Sequence, residues 1–592
     1  LMRQNPVAYH IPLDKQAASL LVTDHLARMA EAELELWLIK DLAYAHADTT
    51  KALKAAQAGD LSLPFLARVA RWWRKGQGLT AVATPQVPAR SSVEEILRDF
   101  TTTGQSAAPD TPPAAWTMPV WNIACLESKP VLPPVQEGAT VMVSPKDPRE
   151  GICGPTVCGI LNVNMIPYMH PHTAETEYRG IRSRICAENN IDTDKAWDDL
   201  KTFVSLHHEA IFPQWDVMME ITCEAPEARV IPFERWLLTY PERNRLEKRR
   251  AREAFQAFPQ LTQKDLQRKA FIKTELLPLS GPAFFEHKSA RIIQAASDTF
   301  TTQTGPYVQA QYYTTKMVWD LNHFVTMGSG LDSIQLGSWM TNCLTHGLNV
   351  FIENDFSKFD STEGPHCLDF EYWLHDLLNG QSNYTRLMRN QATTTGYGAL
   401  GTKYTVPGTR HSGDTNTTLD NTRNAALVML YAICVATGKD VAQIAPSVRI
   451  LQGGDDNVIA MSPEILNEMS LPEVEEIVKS FGFRPKLRVR TNPYDVTFFS
   501  ARFWPARVND APGHILIPFL GKTLAFHSCS RHHLDTAEKR NAWLKEVIRS
   551  HALTSRMFPF MDALFKTELA LVPTTPHNRE IAGIVRNERR HI

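Results

Sequence analysis

Apolar positions in this chain recur with a helical period in some stretches and in short unbroken runs in others, and the changes mark its organisation. Over residues 14–57, Ala, Leu, Glu and Lys at helical spacing predict several helices. "FLARVARWWRKGQG" (65–78) predicts a helix ending in a basic, Trp-bearing turn. Its cations suit the negative end of a helix dipole; contact with RNA or an anionic membrane surface is the alternative. The period then disappears. Residues 80–135 are rich in Pro, Ser and Thr and read as an extended linker, interrupted by one short helix at "SVEEILRDF". From about residue 140 short strands and helices follow one another without an internal repeat. Within that part, "PERNRLEKRRAREAF" (241–255) predicts a helix whose interleaved acids and bases form a solvated, ion-paired face.

Four patterns further on carry more information. "NVFIEND" (349–355) reads as a buried strand ending in Asp355, with Asp360 five residues later and a helix over "CLDFEYWLHDLLNG" (367–380). In "VRILQGGDDNVIAM" (448–461) two apolar runs flank Gly453, Gly454, Asp455 and Asp456, which predicts a hydrophobic hairpin with two acids at its tip. Between them, "PGTRHSGDTNTTLDNTRNAALVML" (407–430) predicts a flexible turn at Ser412 and Gly413 and a helix starting near Asp414–Thr415. Thr417, Asn421 and Asn424 share one face of that helix, opposite Leu419, Ala426, Leu427 and Leu430. "LPEVEEIVKSFGFRPKLRV" (471–489) reads as helix, Gly turn and strand.

Composition narrows the classes. Of 592 residues 43% are hydrophobic, ordinary for a globular core, and the formal net charge is −2. Any nucleic-acid surface is therefore a local groove rather than a whole-protein field. Nine cysteines, an odd number thinly spread, argue for a reducing compartment. Cys153, Cys158, His170, His172 and Cys186 group loosely, at spacings that match no zinc pattern. "AALVMLYAICVA" (425–436) is too short for a membrane span and reads as a core helix. No secretory signal opens the chain, and a start at Leu1 suggests a fragment or a processed product.

Adjacent acids at a hairpin tip repel. If the hairpin pairs with the strand ending in Asp355, three carboxylates meet, each raising the pKa of the others. Divalent cations remove that cost. Mg²⁺ prefers oxygen ligands, and two ions about 3.5–4 Å apart can clamp the attacking and leaving oxygens of a phosphoryl displacement.

The order Asp355-x4-Asp360, Ser412-Gly413-x3-Thr417-x3-Asn421, Gly454-Asp455-Asp456 resembles motifs A, B and C of the RNA-dependent RNA polymerases of positive-strand RNA viruses. The wording is nearest the alphavirus-like and tombus/noda-like groupings. The resemblance covers roughly residues 268–505. It implies an α+β, right-hand polymerase with fingers, palm and thumb, encircled fingers and an antiparallel palm sheet, plus an N-terminal helical extension. On that scheme 1–80 is the extension, 81–139 the linker, 140–348 fingers with motif F near 268–294, 349–505 palm with a fingers portion near 380–411, and 506–592 thumb. It implies template-directed nucleotidyl transfer from NTPs with two Mg²⁺ or Mn²⁺ ions. Asp355, Asp455 and Asp456 would be metal ligands, with Asp456 more peripheral. Asp360, Ser412, Thr417 and Asn421 would recognise the ribose. Lys273, Lys288 and Arg291, with Glu275, match motif F and would bind triphosphate. Lys486, with Lys479 as fallback, would be the general acid of a motif D, and "VTFFSARFWP" (496–505) resembles motif E. Gly413, Arg182 and Arg184 would contact RNA. Implied partners are RNA template and product, NTPs and other viral replication proteins. The implied setting is the host cytoplasm, with membrane contact peripheral or through a partner. A reverse transcriptase-like polymerase and a non-catalytic RNA-binding scaffold with a palm fold are the alternative readings.

Overall fold

The computed structural model describes residues 132–143, 156–158, 167, 169–188, 193–224, 228–238, 245–256, 262–277, 289–389, 393–508, 511–551, 558–573, 581–582 and 585. The helices expected over 14–57, the turn at 65–78, most of the linker, Cys153 and Lys288 lie outside the described residues.

The centre is a five-stranded sheet in the order Leu487–Arg490, Val350–Asp355, Asp456–Met461, Val448–Gly453, Val325–Met327. The first four strands are antiparallel, as expected. The fifth departs from expectation: Val325–Met327 runs parallel to Val448–Gly453, with Val325 opposite Ile450. A parallel neighbour needs a crossover rather than a hairpin. Here the crossover is the long chain between them, which carries both the strand ending in Asp355 and the helix Thr417–Thr437.

The unbroken apolar runs have a simple cause: this sheet is covered on both faces. Val350, Ile352, Ile459 and Met461 share a core with the long helix Thr417–Thr437. Their neighbours in sequence, Phe351, Val458 and Ala460, pack instead with Leu336, Trp339 and Met340 of the helix Ser333–Thr345 and with Phe503 and Leu516. Each fully buried side chain of this size contributes about 1.5–3 kcal/mol. The segment 425–436 is accordingly core helix, and among the described residues no helix is long and apolar enough to cross a membrane. The helices expected near 367–380 and 471–480 are present as Pro365–Asn379 and Leu471–Ser480. Arg245–Gln256 is helical, with Arg249 and Glu253 ion-paired one turn apart.

A second sheet has the order Thr140–Val143, Thr402–Pro407, Thr393–Gly398, Arg268–Ile272, Ile292–Ala295. It is covered on one face, where Ala270, Ile292, Tyr404 and Val406 pack with Ile181 and Ile185 at the end of the helix Ala174–Arg184. Its strands alternate buried and exposed positions, as a half-covered sheet requires. A third, three-stranded sheet joins Thr497–Phe498, Ala501–Val508 and Ala511–Pro518. Its first turn holds Phe499 and Ser500 both at positive φ, 49° and 57°. Thr156–Val157 pairs with Cys529–Ser530, joining the early part of the described chain to the late part.

Among the described residues the loose Cys/His grouping is not assembled. Cys158 packs with Trp504 and Trp543, whereas Cys186 belongs to the core under the second sheet. None of the described cysteines is in a disulfide.

The second sheet is tied to the segment that leads into the helix Thr417–Thr437 by a buried ion pair. Arg268 donates to both carboxylate oxygens of Asp414 at 2.9 and 2.8 Å, and His411 lies 3.1 Å from the same carboxylate. Asp414 is thus withdrawn from helix capping, and the helix begins at Thr417 rather than at 414–415. Burial alone would raise the Asp414 pKa; Arg268 and then His411 outweigh it and hold the carboxyl at about 2. A depressed folded-state pKa gives stability that is complete above the unfolded value near 4 and is lost as pH falls through about 2. We therefore expect urea unfolding between pH 5 and 2 to lose about 2 kcal/mol less in Asp414→Asn than in the unaltered chain, although the variant is weaker at neutral pH. Equal slopes would refute the assignment.

Candidate active site

Asp355 ends its strand and stands directly opposite Asp456, the first residue of the neighbouring strand. Cross-strand partners have Cβ atoms about 4.5–5.5 Å apart, so register alone brings these two acids together. Asp455 occupies the hairpin tip between them and the Val448–Gly453 strand. The tip needs Gly454, whose φ is +62°. Its N–H donates to Thr422 Oγ1 at 2.9 Å, and that hydroxyl in turn donates to Thr418 O. The long helix therefore fixes the height of the tip. Thr422 is a positioning residue that the sequence pattern did not single out, since it reads as one more polar helix residue. On the other side, the ring of Phe499 lies against Gly453.

The charges behave as a crowded carboxylate group. Burial first, then Asp455 and Asp355, push the Asp456 carboxyl up to about 7, against Lys522 and Arg291. Asp455 is also raised, by burial and then by Asp360. Asp455 and Asp355 are nonetheless exposed to solvent, so both can be reached by an incoming ligand. The donor set is all carboxylate oxygen, which fits a hard divalent cation. Among the described residues, the group with ligand atoms all within 4.8 Å of one another is a different one, Glu363, Cys367 and Glu371. That group already has its cation. Arg410 donates to Glu363 at 2.8 Å and to Glu371, and Asn424 donates to both carboxylates.

The other expected residues divide. Asn421 Nδ2 donates to Asp360 Oδ1 at 2.8 Å, and Asn421 Oδ1 is buried without a hydrogen-bond partner. Ser412 and Thr417 do not join this pair. Ser412 Oγ donates to Ile292 O at 3.1 Å, and Thr417 Oγ1 donates to His411 O at 2.7 Å. The turn at 412–413 is docked on the second sheet rather than loose: Gly413 N–H donates to Gln294 O, and a Cβ there would stand 2.5 Å from that oxygen. Ser412 and Thr417, expected to recognise the ribose with Asp360 and Asn421, each spend their hydroxyl proton on a backbone carbonyl, so only an acceptor lone pair is left to offer a sugar.

Lys273 and Arg291 are adjacent across the second sheet, Lys273 N–H donating to Arg291 O at 2.8 Å, and both flank Glu275 at 3.7 and 3.5 Å. Burial and then Arg291 lower the Lys273 pKa. Arg184 Nε donates to Ser289 O at 3.0 Å, and its charge is felt with those of Arg291, Glu275 and Asp360. Arg182 stays on its own helix, 3.3 Å from Tyr178 Oη. Lys486 Nζ lies 3.9 Å from Asp355 Oδ2, whereas Lys479 is paired with Glu476 on the solvent side of the helix Leu471–Ser480. Two further lysines were passed over in the sequence. Lys522, on the helix Leu520–His527, interacts with Asp456 and Glu275. Lys358, at φ 55°, donates to Ser183 O.

A profile described as "Viral RNA dependent RNA polymerase" matches residues 227–571 of this chain. The chain belongs to that family. The match extends past 268–505 on both sides and contains Asp355, Asp360, Asp455 and Asp456. The RNA-directed RNA polymerase of Tobacco necrosis virus (strain A) is 26% identical over 273 residues, 45% of this chain and 35% of that protein. The RNA-directed RNA polymerase of Panicum mosaic virus (strain United States/Kansas 109S) is 25% identical over 291 residues, 47% and 27% respectively. The aligned part spans about a third or less of these relatives. The resemblance read from the three motifs is thereby borne out.

Proposed function

We propose that this chain is an RNA-directed RNA polymerase that extends an RNA 3′-hydroxyl from NTPs on an RNA template. The observation that carries the reading is the register pairing of Asp355 with Asp456 beside Asp455, inside a chain of this family. In the reaction the 3′-oxygen bonds to the α-phosphorus, the bond to the bridging oxygen breaks, and pyrophosphate leaves. Asp355, Asp455 and Asp456 would hold two divalent ions, Mg²⁺ or Mn²⁺, which when bound stabilise charge on the attacking and leaving oxygens. Lys273 and Arg291 neutralise the triphosphate, and Lys522, which interacts with Asp456 and Glu275, adds a third cation. Lys486, beside Asp355, protonates the departing pyrophosphate. The central sheet is the palm, the second sheet with its helix the fingers, and the helices after 520 the thumb. The Thr156–Val157 to Cys529–Ser530 pairing supports an encircled arrangement.

Ribose selection rests on Asp360 and Asn421. Asn421 is held by Asp360 through its amide, leaving a buried acceptor free to receive a 2′-hydroxyl proton. A deoxynucleotide leaves that acceptor unpaired, which costs about 1–3 kcal/mol. The test is synthesis by purified protein on a homopolymeric RNA template, with NTP against dNTP and release of pyrophosphate measured. We expect strong preference for NTP, and a loss of about tenfold to a hundredfold in that preference for Asn421→Ala. Equal use of dNTP by the unaltered protein would indicate a reverse transcriptase, and binding without pyrophosphate release a scaffold. We propose the host cytoplasm as the setting, with other replication proteins supplying any membrane contact.

A further inference from the structure

The second sheet has one covered face and one exposed face, and the exposed face is not generic. The register places Met142, Lys403, Tyr397 and Lys269 in a single row across four strands. Tyr397 is therefore flanked on both sides by a lysine, each one strand spacing of about 4.8 Å away. Phe271 follows Lys269 by two residues on the same face, roughly 8 Å diagonally from Tyr397. Tyr397 is 45% exposed, Phe271 38% and Met142 63%. Both lysines are exposed, and no ion pair is found for either among the described residues. A ring set between two cations on an open sheet face offers stacking surface and positive charge together.

The row also leads somewhere. Lys273 comes two residues after Phe271 and so continues the same face, and it joins Arg291 and Glu275 at the rim of the cleft holding the acids. A strip of alternating cation and ring thus runs from the sheet's edge to the candidate active site.

We propose that this face is a stacking platform for single-stranded RNA, with bases on Tyr397 and Phe271 and phosphates at Lys269 and Lys403. The proposal rests on the polymerase reading and adds a binding surface outside the cleft. The chemistry fits one partner class. Unpaired bases offer π-faces to rings spaced for neighbouring nucleotides, and their backbone brings the negative charge that two lysines lack. A duplex hides its base faces and would lose the stacking.

The test combines footprinting with binding, using the full chain with Mg²⁺ and without NTP. Lys269 and Lys403 should be acetylated readily in the RNA-free protein and protected by a short single-stranded RNA. Duplex RNA of equal length should protect them less. By fluorescence anisotropy, Tyr397→Ala and Phe271→Ala should each weaken single-strand binding about tenfold, with Tyr397→Phe near the unaltered value. Lys269→Gln with Lys403→Gln should flatten the dependence of log affinity on log salt by about 1.4, or about 0.7 for each phosphate no longer neutralised. Lysines already protected without RNA would mean that a segment of the chain's own residues 1–131 covers the face, which overturns the proposal. Unchanged affinity in both ring variants overturns it too. Synthesis by the unaltered protein is read in parallel: its failure counts against the polymerase assignment, whereas the footprint judges the platform alone.

Discussion

Asp455→Ala is expected to lower RNA synthesis by about a thousandfold or more. The reason is geometric as much as electrostatic. Asp456 and Asp355 are held opposite one another by backbone register, so both remain in place when Asp455 is removed. What is lost is the acid at the hairpin tip. A metal-supported site loses several kcal/mol of charge stabilisation when a ligand goes, and each 1.4 kcal/mol is a factor of ten. Binding of single-stranded RNA should survive, because the basic rim is untouched. Thermal stabilisation by Mg²⁺ should largely disappear. Asp355→Ala should behave similarly, and Asp456→Asn more mildly, since the amide keeps one oxygen donor at that position. Near-normal extension by Asp455→Ala, with Mg²⁺ still raising the melting temperature, would show that the acids serve another purpose.

The largest loss of stability is expected at Arg410. Its guanidinium lies between Glu363 and Glu371, all three buried, and Asn424 bonds to both carboxylates. One positive charge thus serves two acids. Burial drives both glutamates toward the protonated form, Glu371 strongly, and Arg410 opposes that drive at each. Arg410→Met removes the cation while leaving the acids in place. Breaking a buried pair in this way costs about 3–5 kcal/mol, which we expect to appear as a fall of about 10 °C in melting temperature. Adding Glu371→Gln should recover a substantial part, because a neutral amide needs no counter-charge. Arg410→Lys should fall between, having the charge but not the planar fork. The cluster also joins the chain just after Asp360 to the helix bearing Asn421. Arg410→Lys should therefore relax ribose selection along with stability, a readout that a merely space-filling role would not move.

The parts of this molecule that could be read from the chain are those fixed by local periodicity. The strands at 350–355, 448–453 and 456–461, the helix over 365–379, and the tip carrying Asp455 all follow from short apolar runs, a Gly-Gly turn and a 3.6-residue spacing. Asp360 and Asn421 were paired through a resemblance and do meet. What escaped the sequence depends on long-range docking. Ser412 and Thr417 sit in a motif with Asn421, yet their hydroxyls are captured by Ile292 O and His411 O. Asp414 reads as a helix cap and is instead taken by Arg268, 146 residues away in sequence. Lys522 meets Asp456 only because the helix after the third sheet folds back over the centre. The parallel strand Val325–Met327 could not be foreseen, since three residues carry too little pattern to fix a direction.

The double burial of the central strands has a consequence for how this gene can change in length. Adding or deleting one residue within 350–355 or 456–461 would turn every following side chain to the opposite layer and carry an acid out of line with its partner, two faults from one event. Drift in length must therefore be shunted to the connecting segments, and the count of residues from Val350 to Asp355 should stay frozen even where their identities wander among apolar types.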